Sequence, residues 1–132
     1  MSIARGSFEV TIIPLEPEDK IDGVALGRMS LEKRFSGGFA GSGKGEMLTA
    51  GDPSTGSAGY VAVERVSGTL DGRRGSFALQ HHATMHRGKN ELSIEVVPGS
   101  ATGELVGLAG KLSIEIVDGK HNYSFEYTFL EA

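Results

Sequence analysis

The segment GYVAVERVSGTLDGRRGSFALQHHATM, residues 59–85, has the pattern of two β-strands joined by a tight hairpin. Asp71-Gly72 is a dipeptide typical of short hairpin turns, because these residue types tolerate the left-handed backbone angles that such turns require. On both sides of this dipeptide, apolar and polar residues alternate, as they do on a strand with one buried face. The segment therefore predicts an antiparallel strand pair with one face in the core and one in solvent.

The same alternation, punctuated by short turn signals, continues along the whole chain. Glycine accounts for 20 of 132 residues, and it falls largely between or within short alternating segments without a collagen-like period. Eight strand segments are predicted, at residues 3–13, 24–35, 39–50, 58–70, 74–87, 90–97, 104–117 and 121–130. We predict a single all-β domain over residues 1–132, an eight-stranded antiparallel up-and-down β-barrel with a helical turn near 104–110. A two-sheet sandwich is the alternative.

Composition limits the classes of function. The net charge is −4, and the 13 lysines and arginines are scattered, so nucleic acid and membranes are not predicted as partners. The absence of cysteine excludes disulfides, thiolate nucleophiles and cysteine metal sites. No apolar run approaches the roughly 18–20 residues of a membrane helix, and the N-terminus lacks a signal-peptide pattern. We expect a cytoplasmic protein, and no cofactor is predicted.

The stretch GFAGSGKGEM, residues 38–47, resembles a phosphate-binding loop but fails its requirements. Gly45 stands where the magnesium-binding Ser or Thr belongs, and the following EMLTA is too short for the helix that such a loop opens. As a strand, the stretch places Gly41, Gly43 and Gly45 on one bare face, where a neighbouring side chain or a sharp coil of the barrel fits. We expect Glu46, on the opposite face, to point to the ligand-binding wall of the barrel.

Three ionisable residues form the candidate catalytic group. An even-numbered loop between the fourth and fifth strands places Glu64 and His81 on one face, with Glu64 opposite either Leu79 or His81 according to the loop length. If the third strand pairs so that Ala50 lies near Ala58, Glu46 joins that face. The candidate catalytic residues are therefore Glu46, Glu64 and His81.

Two carboxylates beside a histidine suit general acid–base chemistry, since burial and like charge raise one carboxyl pKa while histidine titrates near neutrality. The competing interpretation is a hydrogen-bonded pair that serves only the structure of the barrel.

The sequence QHHATMH invites a metal site, but strand alternation argues against one. His81 faces away from His82 and His86, and the latter two are four residues apart, or roughly 13 Å on a strand. Zinc–nitrogen bonds of about 2.1 Å cannot bridge that distance, so no metal is predicted.

Several long stretches of the chain resemble the bacterial family called domain of unknown function 3224. The most specific are ERVSGTLDGRRGSFALQH and VPGSATGELVGLAG, and the resemblance covers nearly the whole chain. It implies a small eight-stranded barrel with a central cavity, related in shape to allene oxide cyclase. On that pattern, the recurrent polar positions are Glu46, Glu64, Arg65, Gln80 and His81. The predicted ligand-binding residues are Tyr60, Phe77, Gln80, Arg65 and Tyr127.

Two hypotheses of function follow. The first is a barrel that binds a small lipophilic molecule in its cavity, with isomerase or cyclase chemistry by analogy with fold relatives. The second is a non-enzymatic structural or protein-interaction barrel with a filled interior. A homodimer or other homo-oligomer is expected to form through an apolar outer patch, for which Val61 and Val63 are candidates.

Overall fold

The computed structural model describes residues 1–15, 19–21 and 24–130, and these form an almost entirely β-structure. Two 3-10 turns of three residues each, Pro53–Thr55 and Gly103–Leu105, are the helical elements of the described chain. The described residues include no helix long and apolar enough to span a membrane. The strands are β1 (Ser2–Pro14), β2 (Asp19–Ile21), β3 (Val24–Gly37), β4 (Phe39–Asp52), β5 (Ser57–Leu70), β6 (Arg73–His86), β7 (Lys89–Val96), β8 (Leu108–Val117) and β9 (Lys120–Phe129).

Eight long strands close into an antiparallel barrel. Their order is β1-β9-β8-β7-β6-β5-β4-β3, and the pairing of β1 with β3, from Gly6 opposite Gly37 to Pro14 opposite Met29, closes the ring. The short strand β2 pairs with β3 beyond the point where β1 leaves it. The predicted eight-stranded barrel is confirmed, and the closed ladder decides against a two-sheet sandwich.

The predicted strand bounds agree with seven of the eight long strands to within two residues. The exception is segment 104–117, where the 3-10 turn Gly103–Leu105 precedes β8, which starts only at Leu108. This turn corresponds to the predicted helical turn. The polar stretch 16–23, expected to be a loop or a helical turn, contains β2, and its remaining residues lie outside the described part of the chain.

The β5–β6 hairpin has a two-residue turn. Asp71 and Gly72 both have positive φ angles, 47° and 86°, as this class of turn requires. Leu70 therefore pairs with Arg73, and the ladder continues without a break to Ala58 opposite Met85. This register directs the even-numbered side chains of β5 and the odd-numbered side chains of β6 into the barrel.

Strands β4 and β5 approach each other very closely. Gly41 pairs directly with Gly68. A Cβ atom on Gly41 would lie 2.1 Å from the Ser67 carbonyl oxygen, and one on Gly68 would lie 2.1 Å from the Ala40 carbonyl oxygen. The glycines therefore allow the tight coil of the wall, as the sequence predicted for Gly41.

One end of the barrel is filled and closed. We call the end that contains the Asp71-Gly72 turn the closed end, and the end that contains the 53–56 loop the open end. Aromatic rings fill the closed end, with centroid separations of 5.2–5.9 Å between neighbouring rings of Phe35, Phe39, Phe77, Tyr123 and Phe125. The fully buried Leu105 and the loop around it cover these rings.

The loop that carries Leu105 is held against β6 by backbone hydrogen bonds. The Val97 N–H donates to the Ala78 carbonyl at 2.9 Å, and the Thr102 N–H donates to the Ser76 carbonyl at 2.8 Å. The loop thus continues the sheet where β7 has ended. It seals the closed end without needing a longer strand.

Replacing Gly68 with alanine is expected to destabilise the barrel by about 1–3 kcal/mol or more, because the new methyl group meets backbone atoms that cannot move aside. The matched control is Gly59→Ala on the same strand, where the added Cβ would meet its nearest atom at 3.4 Å. Urea unfolding of both variants tests this expectation. Equal stability of the two variants would contradict it.

Candidate functional site

The open end of the barrel contains a cavity of about 790 Å³. Its walls come from β3 to β7 and from the loop that follows β4, and its interior lining is mostly apolar. The inward-facing lining residues are Ala25, Gly27, Met29, Met47, Thr49, Gly51, Ala58, Tyr60, Ala83, Met85, Asn90 and Leu92. This volume and lining suit a small organic molecule, since ligand pockets typically measure about 300–1,000 Å³.

The wall next to this lining, between β7 and β8, is loosely joined. Among the described residues, β7 and β8 are bridged at one pair only, Glu95 opposite Lys111. Beyond that pair, towards the open end, inward positions on both strands are exposed, with Leu92 at 44% and Ile116 at 63%. The open end is therefore a wide apolar mouth, whereas the closed end is tightly packed.

Along the strands, a buried charged cluster lies between the cavity and the aromatic core, and none of its three residues lines the cavity. It consists of Lys33 on β3, Glu64 on β5 and His81 on β6, and we call it the buried triad. The Lys33 Nζ and the His81 Nε2 lie 2.8 Å and 2.5 Å from the same oxygen, Glu64 Oε2. Glu64 is only 1% exposed and His81 only 6%. Charges at this depth require such partners.

The triad holds Glu64 in its ionised form. Burial alone raises the pKa of the Glu64 carboxyl, but the hydrogen bond from His81 and the charge and hydrogen bond of Lys33 outweigh it, and the pKa is lowered. Because an ionised carboxylate only accepts hydrogen bonds, the His81 Nε2 must carry the proton between them. In a neutral imidazole this leaves the lone pair on Nδ1. The Lys33 ammonium also lies 4.9 Å from the centroid of the Phe8 ring.

The second carboxylate oxygen of Glu64 occupies space that a glycine leaves open. Oε1 has no hydrogen-bond partner among the described residues. A Cβ atom on Gly43 would lie 3.0 Å from Oε1 and 2.9 Å from Val66 Cγ1. Any larger residue at position 43 would therefore push against the buried carboxylate.

Tyr60 connects the triad with the cavity. Its side chain lines the cavity, and it lies four residues from Glu64 on the same face of β5. Burial and, secondarily, the negative charge of Glu64 raise the pKa of the Tyr60 phenol. The phenol thus stays protonated at neutral pH and can donate a hydrogen bond. Thr49 pairs directly with Tyr60 and brings a second hydroxyl to the cavity wall.

Comparison with known proteins places this arrangement in a family. The family model "Protein of unknown function (DUF3224)" matches residues 4–127. The chain belongs to the DUF3224 family. A crystal structure of a DUF3224 protein of unknown function from Shewanella oneidensis MR-1 is 47% identical, with a TM-score of 0.95, covering 100% of this chain and 99% of that one. No curated protein matches.

The structure brings together two of the three predicted catalytic residues of this DUF3224 chain. Because the hairpin turn has two residues, Glu64 pairs with Leu79, and His81 lies diagonally from Glu64. Their side chains nevertheless meet at 2.5 Å. The inward placement of Glu64 and His81 is confirmed, and their catalytic role stays a prediction.

The expected position of Glu46 is wrong. Ala58 pairs with Gly51 instead of Ala50, and this difference of one residue turns Glu46 to the outer surface of the barrel. Its carboxylate lies 3.0 Å from the Arg28 Nε, and its side chain is 59% exposed. Glu46 is therefore not a member of the buried triad.

Of the five predicted ligand-binding residues, only Tyr60 lines the cavity. Phe77 is stacked on Phe125 inside the closed end, 5.8 Å between centroids. Tyr127 is also buried there, and its hydroxyl is hydrogen-bonded to Asp71. Arg65 and Gln80 are exposed on the outer face. The prediction that these four residues contact a molecule in the open cavity is therefore wrong.

The predicted orientation of the histidines agrees with the structure. His82 and His86 are exposed, on the face opposite to the buried His81. Within the described residues, no three histidine, aspartate or glutamate side chains lie close enough to hold a metal ion.

The sequence interpretation missed Lys33 and the three methionines of the cavity. Lys33 lies in the charged run LEKRF, which resembles a solvated face. However, Leu31, Lys33 and Phe35 alternate with Glu32 and Arg34, and this pattern already assigns Lys33 to the buried face. The methionines Met29, Met47 and Met85 carry no comparable signal.

Glu64→Gln is expected to destabilise the protein by about 3–5 kcal/mol at pH 7, because the Lys33 ammonium is left buried without a counter-charge. The pKa of Glu64 is lowered in the folded state from 4.5. Its contribution is therefore complete above pH 4.5 and is lost as the pH falls through the folded-state value. The stability gap between wild type and variant should narrow on acidification.

Urea unfolding between pH 7 and pH 3 measures this gap. The control is Glu46→Gln, which removes an exposed ion pair worth about 0–1 kcal/mol. A gap for Glu64→Gln that stays constant with pH would show that the charge of Glu64 is not what stabilises the triad.

Proposed function

We propose that the protein binds a small, mostly apolar molecule in the cavity at the open end of the barrel. The observation that carries this proposal is the 790 Å³ cavity with its apolar interior lining. Side chains fill the closed end of the same barrel, so the open volume is confined to one half of the molecule. The alternative of a completely filled barrel is less well supported, because it describes only the closed half.

The flexible lining can adapt to ligands of different shapes. Met29, Met47 and Met85 contribute three flexible thioethers, which adapt to irregular apolar surfaces. Tyr60 and Thr49, which are strand partners, each bring a hydroxyl to this wall and give it a polar point within an apolar surface. A neutral molecule with an apolar body and one carbonyl or hydroxyl group matches this arrangement.

The finer hypothesis is isomerase or cyclase chemistry, as the resemblance to allene oxide cyclase-like barrels suggests. The buried triad supplies the candidate general base, because an ionised Glu64 fixes the His81 proton on Nε2 and leaves Nδ1 able to accept a proton when the ring is neutral. None of its three residues lines the cavity, so the hypothesis requires the substrate to reach His81 past the cavity wall. The cavity wall would hold the substrate in its reactive conformation. Lys33 would act as a positioning residue that keeps Glu64 ionised.

Filling the cavity should abolish binding of an apolar probe. In wild type, the neutral fluorophore N-phenyl-1-naphthylamine should bind with increased, blue-shifted emission. Ala83→Trp places a large ring in the cavity and should weaken binding at least tenfold, whereas His82→Trp, on the outer face of the same strand, should leave it unchanged. Fluorescence titration measures both variants. Equal binding by the two variants would contradict the proposed site.

Tyr60→Phe should reduce affinity for a carbonyl-bearing probe but not for its hydrocarbon analogue. Removing one neutral hydrogen bond costs about 0.5–1.5 kcal/mol, so the preference for 2-acetylnaphthalene over 2-ethylnaphthalene should fall by about two- to tenfold. The control is Tyr127→Phe, whose hydroxyl lies in the closed end. Isothermal titration calorimetry gives the ratio of the two affinities for each variant. An unchanged ratio in Tyr60→Phe would show that the Tyr60 hydroxyl does not bind the carbonyl group.

A further inference from the structure

An exposed apolar patch lies on the outer surface of β3, β4 and β5, close to the open end, and includes the residue that follows β1. We call it the outer patch, and define it by Leu15, Leu26, Leu48, Val61 and Val63. Leu48 pairs directly with Val61, and these two side chains and Val63 are 57%, 47% and 58% exposed. With Leu15, they line a shallow surface groove that also contains Arg28 and Glu46.

The outer patch is a local exception along β4 and β5. Farther along the same two strands, the outward positions are polar, at Ser42, Arg65 and Ser67. No segment in the described ranges covers the patch, as its exposure shows. Soluble proteins rarely leave contiguous apolar surface of this kind without a partner.

We propose that the outer patch is the interface of a symmetric homodimer of this chain. The charges at the patch favour a second copy of this chain over a partner of a single charge sign. The Arg28 Nε and the Glu46 Oε1 lie 3.0 Å apart, with side chains 48% and 59% exposed, so the groove presents both signs. Arg28 and Glu46 are paired within the chain, and a two-fold axis that passes between them would also place each Arg28 opposite Glu46 of the second copy, because such an interface uses the same surface twice.

A partner of a single charge sign would gain little from this surface. Lys44 and Glu32, which also line the groove, form a second pair, 3.6 Å apart, that again balances its own charge. A standard interface covers about 800 Å² per subunit, or roughly a tenth of the 8461 Å² surface of this chain.

Sedimentation velocity and light scattering over a concentration series test the dimer. Wild type should show twice the monomer mass of 13.9 kDa. Val63→Lys should raise the dimer dissociation constant at least a hundredfold, because it buries a charge in the patch centre. The control Ile3→Lys changes a comparably exposed apolar residue (47%) on β1, away from the patch, and should stay dimeric.

Charge exchange gives a second test that does not depend on the apolar centre. Arg28→Glu alone should weaken the dimer, and the double variant Arg28→Glu/Glu46→Arg should restore it. If Val63→Lys fails to fold by circular dichroism, this pair of variants decides the question.

A wild-type mass of one monomer at all concentrations up to about 1 mM, the weak limit of specific association, would overturn the proposal. So would a dimer that survives Val63→Lys and both charge variants, because its interface would then lie elsewhere. Neither outcome depends on ligand binding in the cavity.

Discussion

The register between β4 and β5 is the constraint on which the interior of this barrel depends. Gly41, Gly43 and Gly45 pair with Gly68, Val66 and Glu64, and this pairing turns the three glycines inwards. A shift of one residue would reverse the faces of β4, so that Ser42, Lys44 and Glu46 would enter the core. The glycine row thus provides room for the backbone of β5, and Gly43 provides room for the Glu64 carboxylate.

The space left by Gly43 also allows the buried triad to form. A carboxylate with no exposed side-chain surface costs several kcal/mol to bury, and the cost is offset only by well-placed partners. Lys33 and His81 both reach Glu64 Oε2 from neighbouring parts of the wall. The triad also divides the barrel, with packed aromatic rings on one side and an open apolar cavity on the other. This division gives a binding function a defined location within an otherwise filled core.

Local patterns in the sequence predict much of this structure. Alternation and hairpin dipeptides give the strands, and the two-residue turn at Asp71-Gly72 correctly puts Glu64 and His81 inside. The orientation of β4 could not be obtained in the same way, because it depends on how the 52–57 connection closes. Asp52 pairs with Ser57, its side chain accepts a hydrogen bond from the Ser54 N–H at 2.9 Å, and Gly51 continues the ladder with φ of 87°. Glu46 therefore faces solvent.

Other features of the site depend on packing across the barrel. Nothing local to Phe77 or Tyr127 indicates which end of the barrel is filled, since strand alternation defines the inner face but not the depth along the axis. The cavity likewise results from strands that are distant in sequence. Lys33, in contrast, was predictable, because its alternation with Leu31 and Phe35 outweighs the charged character of its neighbours.

A crystal structure of the purified protein under xenon pressure tests the central claim most directly, because xenon occupies apolar cavities that water leaves empty. The division of the barrel predicts xenon among Met29, Met47 and Met85 at the open end, and none among the aromatic rings beyond the buried triad. An open end filled with ordered water and free of xenon would contradict the claim that this half of the barrel is built for an apolar molecule.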